Sequence, residues 1–296
     1  MSNQKTSRDV TFRATLVLSA ALAMVAVWFL TPRLLAQPRP QPPKSLRLYV
    51  FDLGTLKIPD PANFGFKKEQ LAMTDLAVAG YLVVHPRGTL MWDTGVVRDD
   101  EVGTSGRGAD RAGKRTLKAQ LAEIGYAHKD INYLGLSHYH GDHAANANDF
   151  KMSTWLVQEP ERAAMFADPP IRMATPGMYN MLKESKTVIL HNIDEYDVFG
   201  DGTVIVKAAY GHTPGHQVLV LKLNKTGPLA LVGDLYHYPE ERKVRTVVPS
   251  FEYNKEQSIA SRNMIEDYVK KIGAQLWIEH DYAHHATLRK SPTYYE

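Results

Sequence analysis

The chain has 296 residues, 44% hydrophobic and 23% charged, the balance of an ordinary globular protein with a sizeable core. Its formal net charge of +3 includes a basic N-terminal flank, and there is no Lys/Arg stripe interleaved with aromatics, so no nucleic-acid partner is expected. With no cysteine, disulfides, thiolate ligands, a Cys nucleophile and a lipidated Cys anchor are excluded, and any metal must be held by His, Asp and Glu.

At the N-terminus Lys5, Arg8 and Arg13 precede the apolar run Ala14–Leu30, and the Pro-rich stretch "TPRLLAQPRPQPPK" follows. A basic flank, an apolar segment and a small residue at Ala36 read as an export signal. The run also approaches the roughly 20 residues of a membrane span, so an uncleaved inner-membrane anchor through residues 14–30 is the other reading. Residues 1–43 are therefore set apart as signal or anchor plus linker, placing the fold in the periplasm or on the inner membrane, and 44–296 as one domain.

Within that domain "LRLYVFDLG" reads as a first strand, and "AVAGYLVVHPRGTLMWDTG" as a hairpin turning at Pro86, Arg87 and Gly88. "RDDEVGTSGRGADRAGK" is a polar glycine-rich loop, and "TLKAQLAEIG" a short helix stopped by Gly125. "TVIVKAAY", "QVLVLKL", "PLALVGD" and "QLWIEHD" are strand-like. "NKEQSIASRNMIEDYVKKIG" predicts a long helix, capped by Asn254 with Gln257 and closed by Gly273, with Ile259, Ile265, Tyr268 and Ile272 at helical spacing. Strands mixed with a few helices indicate an α/β or α+β sandwich.

The chemistry gathers where those strands end. "LGLSHYHGDHAAN" places His138, His140, Asp142 and His143 within six positions, so three of the chain's twelve histidines fall there. The other strand-like runs lead to His212, Asp234 and His280. Loops at the ends of several strands can converge on one point held by a rigid sheet. Neutral imidazole suits zinc and similar transition metals, and carboxylates complete or bridge the coordination. Seven candidate ligands exceed what one tetrahedral ion needs; two ions sharing a carboxylate account for them and supply a water-derived nucleophile near neutral pH.

"HYHGDH" fits the His-x-His-x-Asp-His motif of the metallo-β-lactamase fold superfamily, which the sequence resembles over most of its length after about Leu46, through "LMWDTG", "GHTPGHQ", "LVGD" and "IEHD". The resemblance implies an α/β fold, an αββα sandwich with a di-metal site at one edge. By position it implies His138, His140 and His212 for the first metal, Asp142, His143 and His280 for the second, and Asp234 bridging them. Asp93 matches the family's supporting acidic residue, and His216 is expected to be structural or to support a ligand.

Three branches of that superfamily matter. The β-lactamases with a ligating Cys are excluded, and those using only histidines usually lack the bridging Asp. Glyoxalase II-type thioesterases share the ligands but carry an extra helical domain, for which no room is evident after His280. The N-acyl homoserine lactone lactonases are similar in "MTDLAVAGYLVVHPRGTLMWDTG", in "GHTPGHQVLVL" and in the long helix between Asp234 and His280. That branch commonly has a Tyr three residues after the bridging Asp, whose hydroxyl helps polarise the substrate carbonyl. Here the position is His237, flanked by Tyr236 and Tyr238, and any of the three is a candidate donor. The resulting expectation is a hydrolase holding two Zn²⁺ that opens a lactone, with Asp142 or Asp234 shuttling the proton. The alternatives are a β-lactamase, thioesterase or arylesterase on the same fold, or a non-catalytic exported metal-binding protein. "IPDPANFGFKKEQ" and "PPIRMATPGMYNML" are candidate substrate-pocket loops.

Overall fold

The computed structural model describes residues 40–102, 115–191 and 194–296. The expected export segment and positions 103–114 of the glycine-rich loop lie outside the described residues. Among the described residues no helix is long and apolar enough to cross a membrane.

The elements follow in chain order. Strands β1 (Arg47–Leu56), β2 (Leu76–His85) and β3 (Gly88–Trp92) precede helix α1 (Leu117–Glu123). Strand β4 (Tyr133–Gly135) runs into the short helix α2 (Gly141–Ala144), and β5 (Thr154–Gln158) into α3 (Glu159–Met165). Strands β6 (Thr187–Leu190), β7 (Glu195–Asp197), β8 (Val204–Ala208), β9 (Gln217–Leu223) and β10 (Gly227–Leu231) come next. Helix α4 (Lys255–Ile272), β11 (Gln275–Trp277) and α5 (Tyr282–Thr287) close the fold.

They form two sheets, ordered β1-β2-β3-β4-β5-β6 and β11-β10-β9-β8-β7. Alternation along the strands sorts the side chains. Leu48, Val50, Tyr81, Val83, Leu219, Leu221, Leu229 and Leu231 meet between the sheets. Phe51, Leu82 and Met91 face outward onto Leu117 and Leu121 of α1 and Met165 of α3. On the other side Val218, Val220 and Ala230 pack against Ile265 and Val269 of α4. The result is the expected helix–sheet–sheet–helix sandwich, each fully buried aliphatic stabilising it by about 1.5–3 kcal/mol.

Two details differ from the sequence reading. β4 and β11 are only three residues long, and β5, β6 and β7 were not among the expected strands, because short runs such as "TWLVQ" carry too little periodicity to separate strand from buried helix. In α4 the Asn254 side chain accepts from the Gln257 amide and Gly273 closes the helix at φ +66, as expected. The buried face, however, runs through Ser258, Ser261, Arg262, Ile265 and Val269, leaving Ile259 out. Arg262 is tolerated inside because its guanidinium pairs with Glu241 and donates to the carbonyls of Leu235 and Val247.

Candidate metal centre

β3 and β4 run parallel, so Asp93 and the His138–His143 segment emerge at the same sheet edge. In the second sheet β8 and β10 are both antiparallel to β9, and β11 is parallel to β10. The turns carrying His212, Asp234 and His280 therefore share one edge too. Two sets of donor atoms result, each within 4.8 Å: His138, His140, His212 and Asp234, and Asp142, His143, Asp234 and His280.

Asp234 belongs to both sets, and its two oxygens divide between them. Oδ2 lies 3.6 Å from His138 Nε2 and 3.2 Å from His212 Nε2. Oδ1 lies 3.0 Å from His143 Nε2 and 3.1 Å from His280 Nε2. Donors bound to one tetrahedral ion at 2.0–2.1 Å are roughly 3.3 Å apart, so these spacings suit ions between the donors. The Nε2 atoms of His138, His143 and His280 and Oδ1 of Asp234 are buried without a hydrogen-bond partner. Buried polar atoms rarely stay unpaired; a metal ion at each set satisfies them.

Burial pushes the pKa values of His138 and His140 well below the ordinary value, so these rings are neutral donors. Burial also opposes charge on His143 and His212, yet Asp234 and Glu279 lift His143 well above its ordinary value, and Glu252 with Asp234 lifts His212 to about 9. Asp234 itself is buried but held well below the usual carboxylate range by His280, His143, His237 and His138. The cluster thus demands positive charge, which protons or a pair of dications can supply.

The ligand rings other than His140 are fixed from behind. His280 donates its Nδ1–H to the Ala77 carbonyl at 2.7 Å, leaving Nε2 to face the centre. His138 Nδ1 contacts Ser137 Oγ at 3.0 Å. His143 Nδ1 faces Asp93 Oδ2 at 3.3 Å, while Asp93 Oδ1 accepts from the Ser137 amide at 2.6 Å. Asp93 holds this place with a left-handed backbone, φ +56, a strain characteristic of working residues. His216 ligates nothing. Its Nδ1–H donates to the Ala209 carbonyl and its Nε2 accepts the Asp234 amide, so it aims the bridging residue. Burial draws its pKa down to about 3, which keeps that acceptor unprotonated.

Sequence reasoning missed two buried carboxylates here. Glu252 lies 2.8 Å from His212 Nδ1 and accepts from Ser258 Oγ. Forty residues separate it from His212, and no local pattern marks it. Glu279 stands 3.5 Å from His143 Nδ1. Burial pushes its carboxyl well above the ordinary value, His143 opposing and Asp93 adding. Its signal was present, a glutamate inside the apolar run before His280.

Glu161, a third buried carboxylate, ties the two sheets' loops together. It accepts from the Tyr139 amide, the Thr213 hydroxyl and the Gly215 amide, each at 2.8 Å. A β-carbon on Gly215 would come within 2.5 Å of the Glu161 backbone nitrogen, so this approach requires glycine.

The three candidate donors after Asp234 separate clearly. Tyr236 turns its hydroxyl to Glu266 at 3.2 Å, and Tyr238 donates to the Thr74 carbonyl at 2.8 Å, both away from the metal ligands. His237 points inward, its Nε2 3.1 Å from Asp234 Oδ2. Without metal, burial opposes its charge but Asp234 and Glu241 raise its pKa to about 10; in either charge state the ring carries an N–H that can donate. A cavity of about 410 Å³ opens over the centre, lined by Asp142, Asp234, His237 and His280 on one side and by Leu56, Phe64, Leu76 and Val96 on another. Both expected substrate loops reach it, through Asn63 and Phe64 and through Met173, Thr175 and Met178; Phe251 joins them without having been expected.

Residues 73–272 match the sequence model of the metallo-beta-lactamase superfamily. The chain is 28% identical over 271 residues to the N-acyl homoserine lactonase AttM of Azorhizobium caulinodans, covering 85% of this chain and 99% of that one. It is 27% identical over 237 residues to an N-acyl homoserine lactonase of a Bacillus species, covering 75% and 88%. Among solved structures, it resembles an N-acyl homoserine lactone hydrolase with N-hexanoyl-L-homoserine bound at its catalytic metal centre, with a TM-score of 0.67, 23% identity and 84% and 99% coverage. It also resembles AidC, a dizinc quorum-quenching lactonase, with a TM-score of 0.61, 19% identity and 85% and 94% coverage.

Proposed function

Since this chain belongs to the metallo-β-lactamase superfamily, we propose that it is a metal-dependent hydrolase that opens the ring of N-acyl homoserine lactones, a quorum-quenching activity. The observation that carries the reading is Asp234, one carboxylate oxygen turned to each set of ligands beneath an apolar-walled cavity. The relatives supply the substrate class. The imidazole-rich donor set with a shared carboxylate suits zinc.

Two such ions, when bound, would supply Lewis acidity and a water activated near neutral pH. The residues do the rest. His138, His140 and His212 would hold one ion and Asp142, His143 and His280 the other, with Asp234 shared between the two sets. His237 donates to the lactone carbonyl oxygen as negative charge grows there, the kind of contact that acts mainly in the transition state. Asp142, whose side chain is 19% exposed, takes the proton that the attacking water gives up and returns it to the departing ring oxygen. Phe64, Leu76 and Val96 exclude water and receive the acyl group.

The test is ring opening of N-hexanoyl homoserine lactone by metal-replete protein, beside a β-lactam and a thioester. The lactone should be preferred; indifference to it with efficient β-lactam or thioester cleavage overturns the reading. We further propose export across the inner membrane, on the basic flank and the Ala14–Leu30 run. Cell fractionation with N-terminal sequencing checks it: a start near Gln37 means cleavage, a membrane-bound full-length chain means an anchor, and a full-length chain soluble in the cytoplasm refutes export.

A further inference from the structure

Two cavities meet at the metal centre, and the residues between them are unequal. Beside the cavity of about 410 Å³ lies one of about 280 Å³, walled by Tyr139, Ile171, Arg172, His212 and Glu252. His140, Met173 and Phe251 line both. His140 is a ligand, and Phe251 is wedged by edge contacts to Phe64 at 5.2 Å and His212 at 6.0 Å. Met173 is 44% exposed and unbranched, the side chain of the three that can swing aside.

The backbone at Met173 is held in place at a cost. Its φ is +63, and among the described residues the one other non-glycine with positive φ is Asp93, which supports His143. Its loop is pinned to the ligand motif on both flanks. Tyr139 donates its hydroxyl to the Arg172 carbonyl at 3.0 Å, and a β-carbon on Gly141 would meet Met178 Sδ at 3.3 Å. A left-handed methionine at a cavity divide, fixed by contacts to the motif itself, is strain located where substrate must pass.

We propose that Met173 is the partition that sets which acyl chains the site accepts. The inference rests on the lactonase reading. Short N-acyl chains fit within the larger cavity, and longer ones enter the smaller by displacing the Met173 side chain. The partition is then a specificity determinant acting on substrate binding.

Two substitutions isolate it. Met173→Gly removes the side chain and relieves the backbone, since glycine adopts φ +63 freely; Met173→Ala removes the side chain and keeps the strain. The measurements are kcat/KM for N-dodecanoyl and N-butanoyl homoserine lactone on full-length, metal-replete protein, and calorimetric affinities for the two ring-opened N-acyl homoserines. Expected is a dodecanoyl-to-butanoyl ratio raised about tenfold or more in both variants, carried by KM and by affinity, within the discrimination an apolar pocket achieves. Ratios within about twofold of wild type in both variants overturn the partition. If wild type opens no N-acyl homoserine lactone, the functional reading fails separately, and the calorimetric ratios alone decide the partition.

Discussion

On one side of Asp234, oxygen Oδ2 faces imidazoles alone: His138, His212 and, at 3.1 Å, His237. On the other side Oδ1 faces His143 and His280, and the Asp142 carboxylate stands beside both at 3.8 and 3.5 Å. One half of the centre therefore carries a proton donor beyond its ligands, His237, and the other has its proton acceptor, Asp142, among the ligands themselves. Outer support differs as well. His212 leans on one carboxylate, Glu252, whereas His143 leans on Asp93 with Glu279 close by. A lactone needs both kinds of help, a donor where the carbonyl gains charge and an acceptor near the leaving oxygen. On the proposed lactonase reading, the asymmetry would orient the substrate with its carbonyl toward His237 and its ring oxygen toward Asp142.

The strongest way to break this comparison is to remove what the halves share. Asp234→Ala should lower metal content from two ions and reduce kcat/KM by about a thousandfold or more, because one carboxylate positions both ions and their charge. Elemental analysis alongside kinetics checks it; two retained ions with near-normal rate would mean the halves do not depend on a bridge. His237→Ala tests the donor side alone. Rate should fall roughly ten- to a thousandfold with metal content unchanged, as for loss of one transition-state donor. Lost metal would instead make His237 a ligand.

The outer carboxylates should act on one half each. Glu252→Ala is expected to weaken the ion held by His138, His140 and His212 by about ten- to a hundredfold, and Asp93→Ala the other ion by a similar factor. Cobalt substitution followed by absorption spectroscopy distinguishes the two sites. If either variant empties both sites equally, the halves share their support and the comparison collapses.

How much of this could be read from the chain differs between the ligands and the residues behind them. The seven ligand positions were legible because each follows a strand end, and the sheet edge gathers strand ends regardless of sequence distance. Asp93 was legible only through the family resemblance, although it too follows a strand end. Glu252 was not, since it reaches His212 from the segment before α4, and only the packing of that helix on the second sheet brings it there. Nor could the sequence separate Tyr236, His237 and Tyr238. Three consecutive residues in extended backbone alternate in direction, but which one faces inward depends on Glu241, which accepts from the amides of both His237 and Tyr238. Glu241 is in turn fixed by the buried Arg262, an arginine whose inward position the helix pattern gave no reason to expect.

The smallest expected effects fall on the two tyrosines that flank His237, and they sharpen the assignment of the donor side. Tyr238→Phe removes a hydroxyl that donates to the Thr74 carbonyl at 2.8 Å, with the ring edge-on to Phe64 at 5.3 Å. The ring contact survives the substitution, so the loss is one hydrogen bond, about 0.5–1.5 kcal/mol of stability. Tyr236→Phe should cost less. Its partner Glu266 keeps the Arg242 guanidinium through contacts of 2.8 and 2.9 Å, so the carboxylate is not left unpaired. Neither substitution should change kcat/KM by more than about threefold, since neither hydroxyl reaches the cavity over the metals. Denaturant melts set beside lactone kinetics decide the matter. A tenfold rate loss in Tyr236→Phe or Tyr238→Phe at undiminished stability and metal content would transfer the donor role from His237 to that hydroxyl, and with it the orientation argued for the substrate.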